Sequence, residues 1–138
     1  MSKQQNISIQ QNIEEILEKD VRGISIDVLG SIVVEINGGF SLASNLSSGL
    51  DAEHIAGLDA EHIAGVVSVF LGSAEVLSKE LSQEFKQVYI QSEEKYIILH
   101  YINENVALAV ITNNKVKIGL IMYWLREKVV PKLERLLK

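Results

Sequence analysis

The chain has 138 residues, of which 47% are hydrophobic and 22% charged, with a net charge of −5, one proline and no cysteine. That length supports a core without covalent staples and predicts one domain over residues 1–138. The acidic balance argues against general phosphate or nucleic-acid binding, and the lack of cysteine excludes disulfides and thiolate metal sites.

A mean hydropathy of +0.16 predicts surface that must be covered, most simply by self-association. The first residues, MSKQQNISIQQN, lack the apolar segment of a signal peptide. No uninterrupted apolar run approaches the ~18 residues of a membrane span. The expected compartment is the cytoplasm, without direct membrane insertion.

Taken in order, Ser8-Ile9-Gln10-Gln11 reads as a capping box, followed by Ile9, Ile13, Ile16 and Leu17 at helical spacing. This predicts a first helix over Ile9–Val21, ended by Gly23. The period then changes to 2. Ile24, Ile26 and Val28, then Ile32, Val34 and Ile36, alternate with smaller or polar residues. They predict one long strand through Gly30, or two pieces separated by a bulge there. Asn37-Gly38-Gly39 is a hairpin turn signal, and Phe40–Ser44 is the returning strand.

Residues 49–56 and 57–64 are identical copies of GLDAEHIA. The second copy continues into VVSVFLGSAEVLSKEL, and Asp59–Leu81 reads as the central helix. Ser48 offers a cap for a start two turns earlier, near Gly49, and the longer helix is the expected form. A helical wheel assigns Ile63, Val66, Val67, Phe70, Ala74, Leu77 and Leu81 to the sheet. Glu61, Ser68, Glu75 and Lys79 form a polar stripe. Gly65, Val69, Gly72 and Val76 form a third stripe. Glycine inside a helix costs ~1 kcal/mol against alanine, so two on one stripe point to close approach of another backbone, most simply the same helix of a second copy.

Phe85–Gln91, Tyr96–Ile102 and Val106–Thr112 read as an antiparallel meander with short polar turns. His100 in the middle strand is expected to be a packed side chain. Asn113-Asn114 then caps a last helix over Lys115–Leu137, with Ile118, Ile121, Met122, Leu125, Val129, Leu133 and Leu136 as its apolar face. Pro131 should kink this helix, or end it and start a last short turn. Lys128, Lys132 and Arg135 read as a solvated basic face.

Nucleotide, hydrolase and metalloprotease motifs are absent: there is no phosphate-binding loop, no nucleophile elbow, no paired-histidine zinc motif and no dinucleotide fingerprint. The Glu53-His54 and Glu61-His62 pairs tempt a metal reading. On one helix, however, eight residues rotate by ~80° and rise ~12 Å, so the histidines do not converge. No catalytic residue, cofactor or metal site is assigned, and a non-enzymatic protein is expected.

Three segments in this order, GSIVVEINGGFSLASNL, DAEHIAGVVSVFLGSAEVLSKEL and YIILHYINENVALAVITNNKVKIGLI, resemble the roadblock / dynein light chain family. The resemblance implies an α+β fold of longin/profilin-like type, ordered helix-strand-strand-helix-strand-strand-strand-helix. Its sheet is five-stranded and antiparallel with helices on both sides. It also implies a homodimer built through the central helix and the strand after it, which joins two sheets into one of ten strands. On this chain that surface would be Gly65, Val69, Gly72 and Val76 with Val88 and Ile90. The function it implies is a non-catalytic regulator or scaffold for a Ras-like small GTPase; the alternative is a dynein-type or other structural adaptor. Two features depart from the family pattern: the long lead Ile24–Val28 and the extra GLDAEHIA unit.

Overall fold

The computed structural model describes residues 3–46 and 59–138. The first helix, α1 (Lys3–Ile16), runs into a π-helical turn, Leu17–Val21, and a 3₁₀ turn, Arg22–Ile24. It begins six residues before the expected Ile9, because Lys3-Gln4-Gln5 are good helix formers and Ser8 lies inside the helix instead of capping it. Ile13, Leu17 and Val21 are its buried stripe.

Strand β1 spans Val28–Glu35, so the alternation over Ile24–Asp27 is not a strand. The Ser25 carbonyl accepts from the amide of Val28 at 3.1 Å and its hydroxyl accepts from the amide of Asp27 at 3.1 Å. This local turn competes with extended pairing and leaves Ile26 97% exposed. From Val28 the strand runs straight through Gly30, with a register irregularity against the strand Val106–Asn113 between Val28 and Gly30. A Cβ on Gly30 would lie 2.8 Å from Leu46 Cδ2 and 3.1 Å from the Asn45 carbonyl oxygen. Only glycine permits that approach of β2 (Phe40–Leu46). The hairpin between them turns at Gly39, whose φ of 68° lies in the left-handed region that glycine enters freely.

The central helix, α2, is Ala60–Leu81. Asp59 has extended backbone, and its carboxylate accepts from the amide of His62 at 2.9 Å. This N-cap starts the helix at Ala60, so the helix expected to run on from Gly49 is not observed. The first GLDAEHIA copy lies outside the described residues. There follow β3 (Gln87–Gln91), β4 (Lys95–Tyr101), β5 (Val106–Asn113), α3 (Ile118–Trp124), a π-helical turn (Leu125–Val129) and α4 (Val130–Leu136). Pro131 lies in the first turn of α4, directly after the π-helical turn. The last helix is thus divided by a change of helix type, and proline occupies an early position where its missing amide matters least.

The five strands form one antiparallel sheet in the order β2-β1-β5-β4-β3. Its two faces carry separate cores. On one, Val33, Leu108, Val110 and Ile98 pack with Ile13, Leu17, Val21, Leu125, Val129 and Leu133. On the other, Ile32, Val34, Ile36, Leu99, Ala107 and Ala109 pack with Ala64, Val67 and Leu71 of α2. Helices therefore cover both sides of a five-stranded antiparallel sheet, as a longin/profilin-like roadblock fold requires. The central strand β5 is buried along nearly its whole length.

Candidate protein-interaction surface

α2 is fixed on the sheet at three heights. Glu61 Oε1 accepts from the amide of Ser41 at 3.2 Å. The hydroxyl of Ser68 donates to the Ile36 carbonyl. The hydroxyl of Tyr101 donates to the Leu71 carbonyl at 3.1 Å, and partial burial raises the Tyr101 pKa. These contacts set which side of the helix looks outward.

The sheet-facing residues differ in part from the expected ones: Val67 and Ile63 pack on the sheet as expected. Ala64, Val67 and Leu71 are buried, with Ala60 and Ile63 packed beside them. Val66, Phe70, Leu77 and Leu81, expected under the helix, are exposed. The sheet below already carries Ile32, Val34, Ile36 and Leu99, while β5 presents only Ala107 and Ala109. The stripe that faces this core is Ala60, Ala64, Val67 and Leu71. A wheel weighted by side-chain size chooses the bulkier residues and rotates the helix too far. The spacing Ala60-Ala64-Val67-Leu71 was the signal available for the correct face.

The outward side of α2 consequently carries an apolar row: Val66 at 59% exposure, Val69 at 73%, Phe70 at 41% and Val76 at 62%, continued by Leu77 and Leu81. By length and composition α2 is apolar enough to cross a membrane, yet only 17% of its apolar window is buried. It is seated on the sheet and bears Glu61, Glu75, Lys79 and Glu80. The row is thus an exposed apolar surface on a helix packed against the sheet.

The residues expected to form the partner face are only partly brought together. Gly65 and Val69 line one shallow groove with Val66 and Phe70. Gly65 also faces inward, where an added Cβ would meet the Gly39 carbonyl at 3.8 Å. Gly72 opens onto free space, with nothing within 4 Å of an added Cβ, and Val76 is exposed beyond it. Val88 and Ile90 are half-buried in β3; Val88 packs into the core on the α2 side. Their strand is an edge: β3 pairs with β4 and, among the described residues, with no other strand. Tyr89 points to the opposite face, 49% exposed, and packs edge-on against Tyr96 with centroids 6.3 Å apart.

The roadblock/LC7 domain family model matches residues 27–112, from the turn before β1 to the end of β5. No curated protein matches the sequence. Among solved structures, MglB of Myxococcus xanthus superposes with a TM-score of 0.76 at 17% identity, over 99% of this chain and 92% of that one. A roadblock/LC7 domain from Streptomyces avermitilis gives 0.70 at 13% identity, over 90% and 96%. Profilin IA of Acanthamoeba castellanii gives 0.58 at 12% identity, over 88% and 96%. At these identities the structural likeness speaks to the fold, and the family match speaks to membership. With that match covering more than half the sequence, including the whole sheet and α2, the chain belongs to the roadblock/LC7 domain family.

Proposed function

We propose that the protein is a non-catalytic homodimeric regulator or scaffold for a Ras-like small GTPase, acting in the cytoplasm. The observation that carries the proposal is the uncovered apolar row on α2, together with the free edge of β3, in a roadblock-family chain. An exposed strand edge invites pairing with another strand, and an apolar helix face needs a cover. A two-fold arrangement supplies both from one identical surface. Val69, Gly72 and Val76 would meet their counterparts across the axis. Gly65, Val88 and Ile90 would lie around and under that contact. One structural neighbour is an MglB described in a tetrameric arrangement, which supports self-association as a habit of this fold.

The regulatory reading rests on family membership, together with a sequence that lacks nucleotide-binding and hydrolytic motifs of its own. The test is direct. Purified protein is mixed with Ras-like GTPases of its host, and binding and GTP turnover are measured with wild type and Val69→Glu. Saturable binding to one of them, lost with the dimer in the variant, is the expected result. Binding to none of them sinks the GTPase reading; a dimer that instead captures only other complex components favours the structural-adaptor reading.

A further inference from the structure

The free edge of β3 presents a defined set of backbone groups. The Ser92 amide donates to the Lys95 carbonyl at 2.9 Å, and the Tyr101 amide donates to the Lys86 carbonyl at 3.0 Å. Between these two bonds β3 and β4 keep one unbroken register, from Gln87 opposite His100 to Gln91 opposite Tyr96. Opposed residues of an antiparallel ladder alternate between hydrogen-bonded and non-hydrogen-bonded pairs. Val88 and Ile90 therefore turn their N–H and C=O toward β4, as Lys86 and Ser92 do. Gln87, Tyr89 and Gln91 turn theirs the other way, where no strand pairs among the described residues.

Proteins commonly guard such an edge with charge or proline. β3 has neither: it reads Gln-Val-Tyr-Ile-Gln. The same five residues are self-complementary when reversed. Turned about Tyr89 onto a second copy, glutamine opposes glutamine, valine opposes isoleucine and tyrosine opposes tyrosine. A two-fold contact requires this kind of match. Tyr89 is 49% exposed and meets Tyr96 edge-on along its inner flank, which leaves its outer flank open toward the free edge.

Resting on the homodimer reading above, we propose that β3 pairs antiparallel with β3 of a second copy in the register centred on Tyr89, and that Tyr89 stands at the two-fold axis. In that register every outward N–H and C=O of β3 is paired, Gln87 with Gln91 of the second copy and Tyr89 with its counterpart. Centring on Val88 or Ile90 keeps the hydrogen-bonding parity but leaves Gln91 or Gln87 beyond the end of the facing strand. The axis runs perpendicular to the sheet, so both α2 helices stay on one face. On the other face, Tyr96 and Tyr89 of each copy join into one aromatic row across the seam, a cross-strand pairing that favours association. The contact is thus two-sided, and Tyr89 belongs to the side away from α2.

The chain has no cysteine, so introduced cysteines report the register. In the proposed register Val88 opposes Ile90 of the second copy as a non-hydrogen-bonded pair, with Cα atoms about 4.5 Å apart, within the span of a disulfide. Val88 and its own counterpart are diagonal neighbours, about 7–8 Å apart, as are Ile90 and its counterpart. Full-length Val88→Cys and Ile90→Cys chains are refolded separately and as a mixture, oxidised with diamide and run on a non-reducing gel. A covalent dimer is expected from the mixture and from neither variant alone. Tyr89→Glu, at a half-exposed position, should keep the protomer fold by circular dichroism and weaken the dimer by about tenfold or more, because two carboxylates then face each other. The proposal is overturned if either cysteine variant cross-links alone, if the mixture does not cross-link, or if Tyr89→Glu dimerises as tightly as wild type. In each of these cases a wild type that is dimeric by light scattering leaves the homodimer reading standing. A monomeric wild type removes both.

Discussion

The indole Nε1 of Trp124 donates to the carbonyl oxygen of Asp20 at 3.1 Å, joining residues 104 apart in sequence. Asp20 lies in the π-helical turn that follows α1, and Trp124 directly precedes the one that follows α3. A π-helical turn spaces its backbone partners more widely than an α-turn, and here the Asp20 carbonyl is met from another helix. The Asp20 carboxylate also accepts from Lys132 Nζ at 3.0 Å. The first and last helices are thereby tied at one point on the face opposite α2. Trp124→Phe removes the bond at a surface position, and a loss of about 1 kcal/mol is expected from urea unfolding. Lys132→Ala should cost less, because exposed ion pairs contribute only about 0–1 kcal/mol.

In the proposed dimer, Gly72 separates the stability of the protomer from that of the assembly. Open space surrounds its Cβ position, so Gly72→Leu fits within one chain and gains helix propensity of about 0.8 kcal/mol. The same side chain obstructs a partner helix. The expected outcome is a variant that is monomeric by light scattering while its protomer unfolds at equal or higher denaturant. A Gly72→Leu protein that stays dimeric removes α2 from the interface.

His100 makes stability depend on pH. Burial holds its pKa below the ordinary value of 6.5, against the Tyr101 carbonyl and the charge of Glu134, which raise it; Arg126 and Lys86 act in the lowering direction. The unfolded chain therefore takes up this proton first as pH falls. The contribution of neutral His100 is present above 6.5 and is lost as pH drops through the unfolded and then the folded pKa. Comparing urea midpoints of wild type and His100→Leu between about pH 7.5 and about pH 5 isolates the effect. Wild type should lose more stability over that interval than the variant, and parallel curves count against the assignment.

The two ends of α2 give opposite expectations. Asp59 caps the N-terminus through the His62 amide, so Asp59→Ala should cost about 1 kcal/mol. Ser82 closes the C-terminus at φ 52°, and its amide donates to the Lys79 carbonyl. Glycine is the natural residue for that conformation, and Ser82→Gly should stabilise the protein by about 0.5–1 kcal/mol in thermal or urea unfolding.

Much of the fold was legible from local rules. Asn37-Gly38-Gly39 announced the hairpin, the short polar turns announced β3 to β5, and the last helix buries Ile121, Leu125, Val129 and Leu133 as its spacing predicts. The boundaries that failed were those where a local signal competes with its neighbours. Ser8 lies within a helix that could propagate past it, and Ser25 bent a segment whose alternation suited a strand.

By itself the sequence determined the order of elements, the family and the presence of an uncommitted apolar surface on the central helix. Periodicity and turn chemistry act over a few residues and need no partner. Only the tertiary structure decided which side of α2 is that surface. Ala64, Val67 and Leu71 seat the helix on the core that includes Ile32, Val34, Leu99, Ala107 and Ala109, and Val66, Phe70 and Leu77 face outward. The strand order also leaves β3 at the sheet edge. Those relationships depend on register and packing between segments far apart in the chain, which local periodicity does not resolve.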